Sequence, residues 1–231
     1  MSKQKRRRSV LVAIALVVIC SAIYLSTDNY TAAPVKPAEK TATVGMTPAI
    51  QALEKLTVKG RAPKTGYTRE QFGDGWRSEN GCDTRNIILA RDMHDVKTND
   101  KCQVISGVLD DPYTGKTINF KRGPTTSAAV QIDHVVALSD AWQTGAQQLS
   151  FEVRVKLAND PLELLAVDGP ANQQKSDGDA ATWLPSNKAF RCQYVARQIA
   201  VKTKYHLYVT APEKAAIRDI LARCPSQKIP S

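Results

Sequence analysis

The sequence predicts an α+β protein on three observations. Short β-branched runs crowd the middle of the chain, helical periodicity takes over after Ser139, and an apolar strand-like segment carrying an acid and an imidazole joins the two regions. At 231 residues the chain is long enough for one sizeable core and too short for two large domains. Its 32 Lys and Arg stand against 22 Asp and Glu, but Lys3, Lys5, Arg6, Arg7 and Arg8 all lie at the very start. The smaller surplus that remains suits a polyanionic partner and equally an ordinary solvated surface, so charge alone excludes little.

The first 25 residues place a basic cluster before an apolar run from Val10 to Leu25 that only Ser21 interrupts, the pattern of an export signal. Two fates fit that run: cleavage as a signal peptide, or retention as a membrane anchor with its basic end in the cytoplasm. The bulky Ile19 before Cys20 argues against lipid attachment. Residues 26–47 are rich in Thr, Ala, Pro and Lys without apolar periodicity and read as a flexible linker. The folded domain is expected over 48–231, secreted or held at the outer face of the cytoplasmic membrane.

Within that domain, Ile50, Leu53 and Leu56 recur at helical spacing, and the stretch VKGRAPKTGYTR after them is irregular. NIILA around Ile87, QVISGVLD around Val104 and TINFKRG around Ile118 read as strands, with DPYTGK supplying a turn between the last two, so a small meander or hairpin is expected. A long helix is expected from Ser186 to about Lys204, with Phe190, Tyr194, Val195 and Ile199 inward. A second begins at Thr210, where Glu213 completes capping-box spacing and Ile217, Ile220 and Leu221 form a stripe. Cys82, Cys102, Cys192 and Cys224 form no C-x-x-C pair and, in an exported chain, point to disulfides. Three pairings are possible; local stapling favours Cys82 with Cys102 and Cys192 with Cys224.

The segment VQIDHVVALSDAW interrupts an apolar run with Asp133 and His134, which is costly unless the two pair or bind something. Alone, they would read as a satisfied core pair in which the carboxylate orients the ring. Downstream, LELLAVDGPANQQKSDGD reads as a strand from Leu162 to Val167, a Gly-Pro turn and a polar helix holding Asn172 and Lys175. A strand ending in Asp-His, a second strand and a helix presenting Asn form the layout of a ββα-metal finger.

With these residues the chain resembles the HNH endonucleases, most closely the exported bacterial group related to the C-terminal domain of GmrSD-type restriction enzymes. The resemblance runs from about Leu53 to Cys224 through GRAPKTGYTREQFGDGW, GCDTRNIILARD, SGVLDDPYTGK, VQIDHVVALSDAWQTGA, LLAVDGPANQQKSDGDAATWLP and NKAFRCQYVARQIAVK. It implies an HNH finger embedded in a small β-meander with flanking C-terminal helices. It further implies Asp133 and Asn172 as metal ligands and His134 as general base. Glu163 stands where such fingers commonly carry a loop-fixing Asn; Asn159, or Glu163 through its own carboxylate, is the candidate replacement.

The side chains support the same chemistry, since Asp133 and Asn172 offer hard oxygen donors suited to Mg²⁺ or Mn²⁺ and a neutral His134 can take a proton from attacking water. Nucleic acid, DNA before RNA, is the expected partner. Lys175 is a candidate catalytic cation, and Arg122 is a candidate phosphate holder or a solvated charge. Arg85 either reaches the same cleft or pairs with Asp83 beside it. His94 and His206 read as non-catalytic, and Trp76, Trp142 and Trp183 as core. Two rivals compete: a binding protein that keeps the fold without the chemistry, and a zinc cell-wall hydrolase, which only three His residues disfavour. No base-reading element is recognisable.

Overall fold

The computed structural model describes residues 47–230; the export segment, and all of the linker but Thr47, lie outside the described residues. Helix α1 (Pro48–Lys55) starts where Thr47 Oγ1 accepts the Ile50 N–H at 3.2 Å and Pro48 occupies a first-turn position needing no donor. It buries Ala49 and Leu53 against the two C-terminal helices. A 3₁₀ turn (Arg69–Phe72) follows, then a minimal hairpin of β1 (Ser78–Glu79) and β2 (Cys82–Asp83). Asn80 and Gly81 both take positive φ at its tip, so the Asn-Gly dipeptide is the sequence signal that marks this hairpin.

NIILA, expected as a strand, lies in helix α2 (Thr84–Asp92) instead. Asp83 decides it: its Oδ1 accepts the Asn86 N–H at 2.7 Å and starts the helix, turning Ile88 and Leu89 into the core. Four apolar residues in a row, Ile87 to Ala90, cannot themselves choose between helix and strand. The meander forms one element later, from β3 (His94–Thr98), β4 (Val104–Asp110) and β5 (Thr117–Lys121), antiparallel in that order. His94, read as a loop residue, opens β3 and is exposed beside Asp95. Disulfide Cys82–Cys102 ties the start of α2 to the loop before β4, and Cys192–Cys224 joins the last two helices. Both are the local pairings expected, and loops of this size stabilise by roughly 3 kcal/mol each.

Strands β6 (Val130–His134) and β7 (Leu164–Asp168) form a separate antiparallel pair in which Asp133 faces Leu165 and His134 faces Leu164. Helices α3 (Leu138–Gln143) and α4 (Phe151–Ala158) fill the connection between them. Strand β7 divides two apolar clusters. Leu164 and Ala166 enter the smaller one, with α2 and the meander, while Leu165 and Val167 enter the larger one, with the helices. Burial on both faces explains why LLAV is continuously apolar.

Helix α5 (Gly169–Lys175) springs directly from β7, capped by Asp168 Oδ1 on the Ala171 N–H at 2.8 Å; the Gly-Pro pair expected as a turn is its first turn. Only glycine fits at 169, because a Cβ there would sit 2.1 Å from the Ala128 carbonyl oxygen. Helix α6 (Arg191–Lys204) begins later than Ser186, behind a 3₁₀ turn capped by Asn187, and buries Tyr194, Val195 and Ile199 as expected. Helix α7 (Ala211–Leu221) carries the complete Thr210–Glu213 capping box. Among the described residues no helix is long and apolar enough to cross a membrane.

Candidate active site

Successive residues of a strand point to opposite faces, so Asp133 and His134 at the end of β6 reach different partners. Asp133, 5% exposed, receives the Lys175 Nζ on Oδ1 at 2.9 Å and the Tyr113 hydroxyl on Oδ2. Lys175 projects from the last turn of α5 and also donates to the His134 carbonyl at 2.8 Å. Tyr113 comes from the β4–β5 turn, a segment read from sequence as turn chemistry alone, and is fully buried. Burial raises the Asp133 carboxyl above its ordinary range, while the Lys175 ammonium and the Tyr113 hydroxyl pull it back.

On the other side, His134 Nε2 lies 3.0 Å from the Ala158 carbonyl, which can only accept, so Nε2 carries the proton. Burial holds the imidazole pKa down to about 3, against a smaller upward pull from that carbonyl. The ring is therefore neutral through the physiological range, and Nδ1, with no protein partner among the described residues, is its basic atom. The Trp76 indole stacks on the imidazole, ring centroids 5.6 Å apart and planes 10° from parallel. Trp76 thus does more than fill core, unlike Trp142, which is buried among apolar residues as expected. Asn159 links these parts: its Oδ1 accepts the Arg77 N–H at 2.8 Å and the Thr84 hydroxyl at 2.9 Å, fixing the segment after Trp76 beside Ala158.

Both residues open onto a cleft of about 670 Å³ bordered by Arg69, Trp76, Arg85 and Asn172. Asn172, on α5, donates from Nδ2 to Gln131 Oε1 at 2.9 Å, which leaves its amide oxygen as the atom available to the cleft. Arg85 is a half-buried cation whose guanidinium donates only to carbonyls, Val130 at 3.0 Å and Ser127 at 3.4 Å. It makes no ion pair with Asp83, which caps α2 instead. Burial first, then the neighbouring Arg122 charge, lowers its basicity. The nearby Asp83 carboxylate offsets this in part, and a guanidinium at a cleft wall with no direct ion pair among the described residues is suited to an anion. Arg122 does not border the cleft, since its guanidinium holds the Val104 carbonyl at 2.7 Å and Asn86 Oδ1 at 2.6 Å.

The donor set fits a hard divalent cation. The Asp133 carboxylate, which also accepts from the His134 backbone N–H, borders the same cleft as Asn172. No group of three or more His, Cys, Asp or Glu among the described residues is placed to hold a metal, which disfavours a closed zinc site but not an ion that retains most of its water.

Glu163, at the position of the unusual loop residue, is fully buried just before β7. Its Oε2 accepts the Val136 N–H at 3.2 Å and its backbone carbonyl accepts the Val135 N–H at 2.9 Å, so it ties down the turn that follows His134. Burial raises its carboxyl well above the ordinary range, outweighing the Val136 N–H and the Lys175 charge, and its Oε1 has no partner. Burial thus favours the protonated form of Glu163, whose shape and polarity are close to those of an amide. Because the folded-state pKa is raised, the unfolded chain releases this proton first, and stability declines as pH rises above the unfolded value near 4.5. Glu163→Gln removes that loss: denaturant titrations should show the variant gaining on the wild-type chain from pH 4 to pH 8. A constant difference across that range would refute the upward shift of the Glu163 carboxyl.

Residues 83–220 match the family described as GmrSD restriction endonucleases, C-terminal domain. A protein of Arthroderma benhamiae described as an uncharacterized secreted protein is 36% identical over 174 residues, covering 74% of this chain and 82% of its own length. No solved structure matches.

Proposed function

Because the chain belongs to the family of GmrSD restriction endonuclease C-terminal domains, a nuclease family, we propose that it is an exported, metal-dependent endonuclease of the HNH type that hydrolyses phosphodiester bonds of DNA. The observation that carries this reading is the neutral His134, with Nδ1 unprotonated, in one cleft with the Asp133 and Asn172 oxygens.

In that reading a phosphodiester lies across the cleft, its charge met by Arg85 and Arg69. His134 Nδ1 accepts a proton from the attacking water, and the Ala158 carbonyl holds the ring in the tautomer that keeps Nδ1 free. Asp133 and Asn172 would hold a Mg²⁺ or Mn²⁺ ion, which when bound supplies Lewis-acid relief of charge on the phosphate and the departing oxygen. Lys175 and Tyr113 keep Asp133 in place for that role. Lys175, expected as a catalytic cation, is 2% exposed and already spent on Asp133 and a backbone carbonyl, so positioning suits it better than contact with substrate.

Export is supported by the two disulfides and by the secreted description of the Arthroderma benhamiae relative. The test is incubation of the purified chain with supercoiled plasmid. Conversion to nicked or linear DNA is expected with Mg²⁺ or Mn²⁺ and none with EDTA. Cleavage unaffected by EDTA would remove the metal from the reading; no cleavage of DNA or RNA with any divalent ion would leave a binding protein.

A further inference from the structure

A second, smaller cavity of about 280 Å³ adjoins the cleft, and Arg69, Trp76, His134 and Leu138 border both. Its remaining wall includes Gly73, Asp74 and Gly75. Gly73 and Gly75 both hold positive φ, 99° and 96°, which would strain any other residue; a Cβ at 73 would press on Val155 at 3.2 Å, whereas one at 75 would meet nothing within 4 Å. Trp76 is fixed by the stack on His134 and by the Asn159 bond to the next residue. Its indole N–H has no partner among the described residues, and neither does the exposed Asp74 carboxylate. An aromatic wall, an open acceptor and, at the mouth, the Arg69 guanidinium, whose neighbouring Glu70 carboxylate forms no direct ion pair with it among the described residues, match a flat heterocycle attached to a phosphate.

We propose that this cavity is a nucleobase subsite, which takes an unstacked base flanking the scissile phosphate against Trp76 while Arg69 holds the phosphate between base and cleft. The proposal rests on the nuclease reading and deepens it: the substrate is nucleic acid that is single-stranded, or locally opened, at the cut. A duplex keeps its bases stacked and offers Trp76 no face. Arg69, Asp74 and Trp76 of this subsite lie before the segment matched by the family, which begins at residue 83, whereas His134 and Leu138 lie within it.

The test is fluorescence anisotropy with two end-labelled single strands of equal length, one with normal bases and one abasic throughout, in EDTA so that neither is cut. The wild-type chain should bind the base-bearing strand more tightly. Trp76→Ala should weaken that strand by about tenfold, the scale of one lost base–aromatic stack, and leave the abasic strand unchanged. Trp76→Phe should retain most of the preference, and Arg69→Ala should weaken both strands alike. Equal loss on both strands with Trp76→Ala would overturn the subsite and leave Trp76 a support for His134. Equal binding of both strands by the wild-type chain would overturn it even if Trp76→Ala fails to fold. If the wild-type chain binds neither strand and cuts no plasmid, the nuclease reading itself falls; plasmid cleavage together with base-blind binding defeats the subsite alone.

Discussion

His134→Ala is expected to lower turnover on plasmid or oligonucleotide by about 10²- to 10⁴-fold, the range that a positioned general base contributes. On the proposed reading the imidazole serves that single task. Its Nε2 proton is committed to Ala158, burial keeps the ring unprotonated, and Nδ1 is the one basic atom it presents to the cleft. Substrate affinity should change far less, because the phosphate is met by arginines and not by the ring. The decisive comparison is kcat from single-turnover cleavage against Kd from anisotropy in EDTA. A variant that cuts within a few-fold of the wild-type rate would remove His134 from the chemistry. A variant that loses affinity in proportion to rate would make it a binding residue.

The largest stability effect is expected at Lys175. Its ammonium is out of contact with solvent and within 2.9 Å of a carboxylate that is itself almost fully buried. Lys175→Met keeps the length of the side chain and strands the Asp133 charge, for which removal of one partner of a buried pair typically costs 3–5 kcal/mol, so about that loss is expected in urea or guanidinium unfolding. Adding Asp133→Leu to the same chain should recover much of it, because two apolar side chains pack where two charges were. A loss below about 1 kcal/mol would mean that water reaches the pair and that Lys175 does not hold Asp133. The double variant also separates stability from chemistry, since it should fold well and cut nothing.

Asp133 and His134 stood out in the sequence because an acid and an imidazole inside an apolar run conflict with burial, and the helix holding Asn172 does follow the second strand. The C-terminal helices were legible through their caps and stripes, and the disulfides through locality. What escaped has physical reasons. NIILA holds no periodicity in so short a run, and its helix is set by the Asp83 side chain before it. Tyr113 sits in a turn whose Asp, Pro, Thr and Gly fully explain a turn, so nothing marked the hydroxyl as a partner of a residue 20 positions away. Arg122 is close to β6 along the chain, but its guanidinium is taken by β4 and α2. Trp76 lacked any local signal for the stack on His134, and the Asn80-Gly81 hairpin just beyond it was not among the expected elements.

The carboxylate of Asp133 gathers its two donors from the meander turn and from α5, positions 20 and 42 residues distant along the chain. No stretch short enough to emerge first from a ribosome or a membrane channel contains all three. Assembly of the centre is therefore as cooperative as folding itself, and thermal loss of activity should track unfolding with no partly folded active form. On the proposed reading of an exported nuclease, the same arrangement would act as a built-in latency: a chain that has not yet folded has no competent centre.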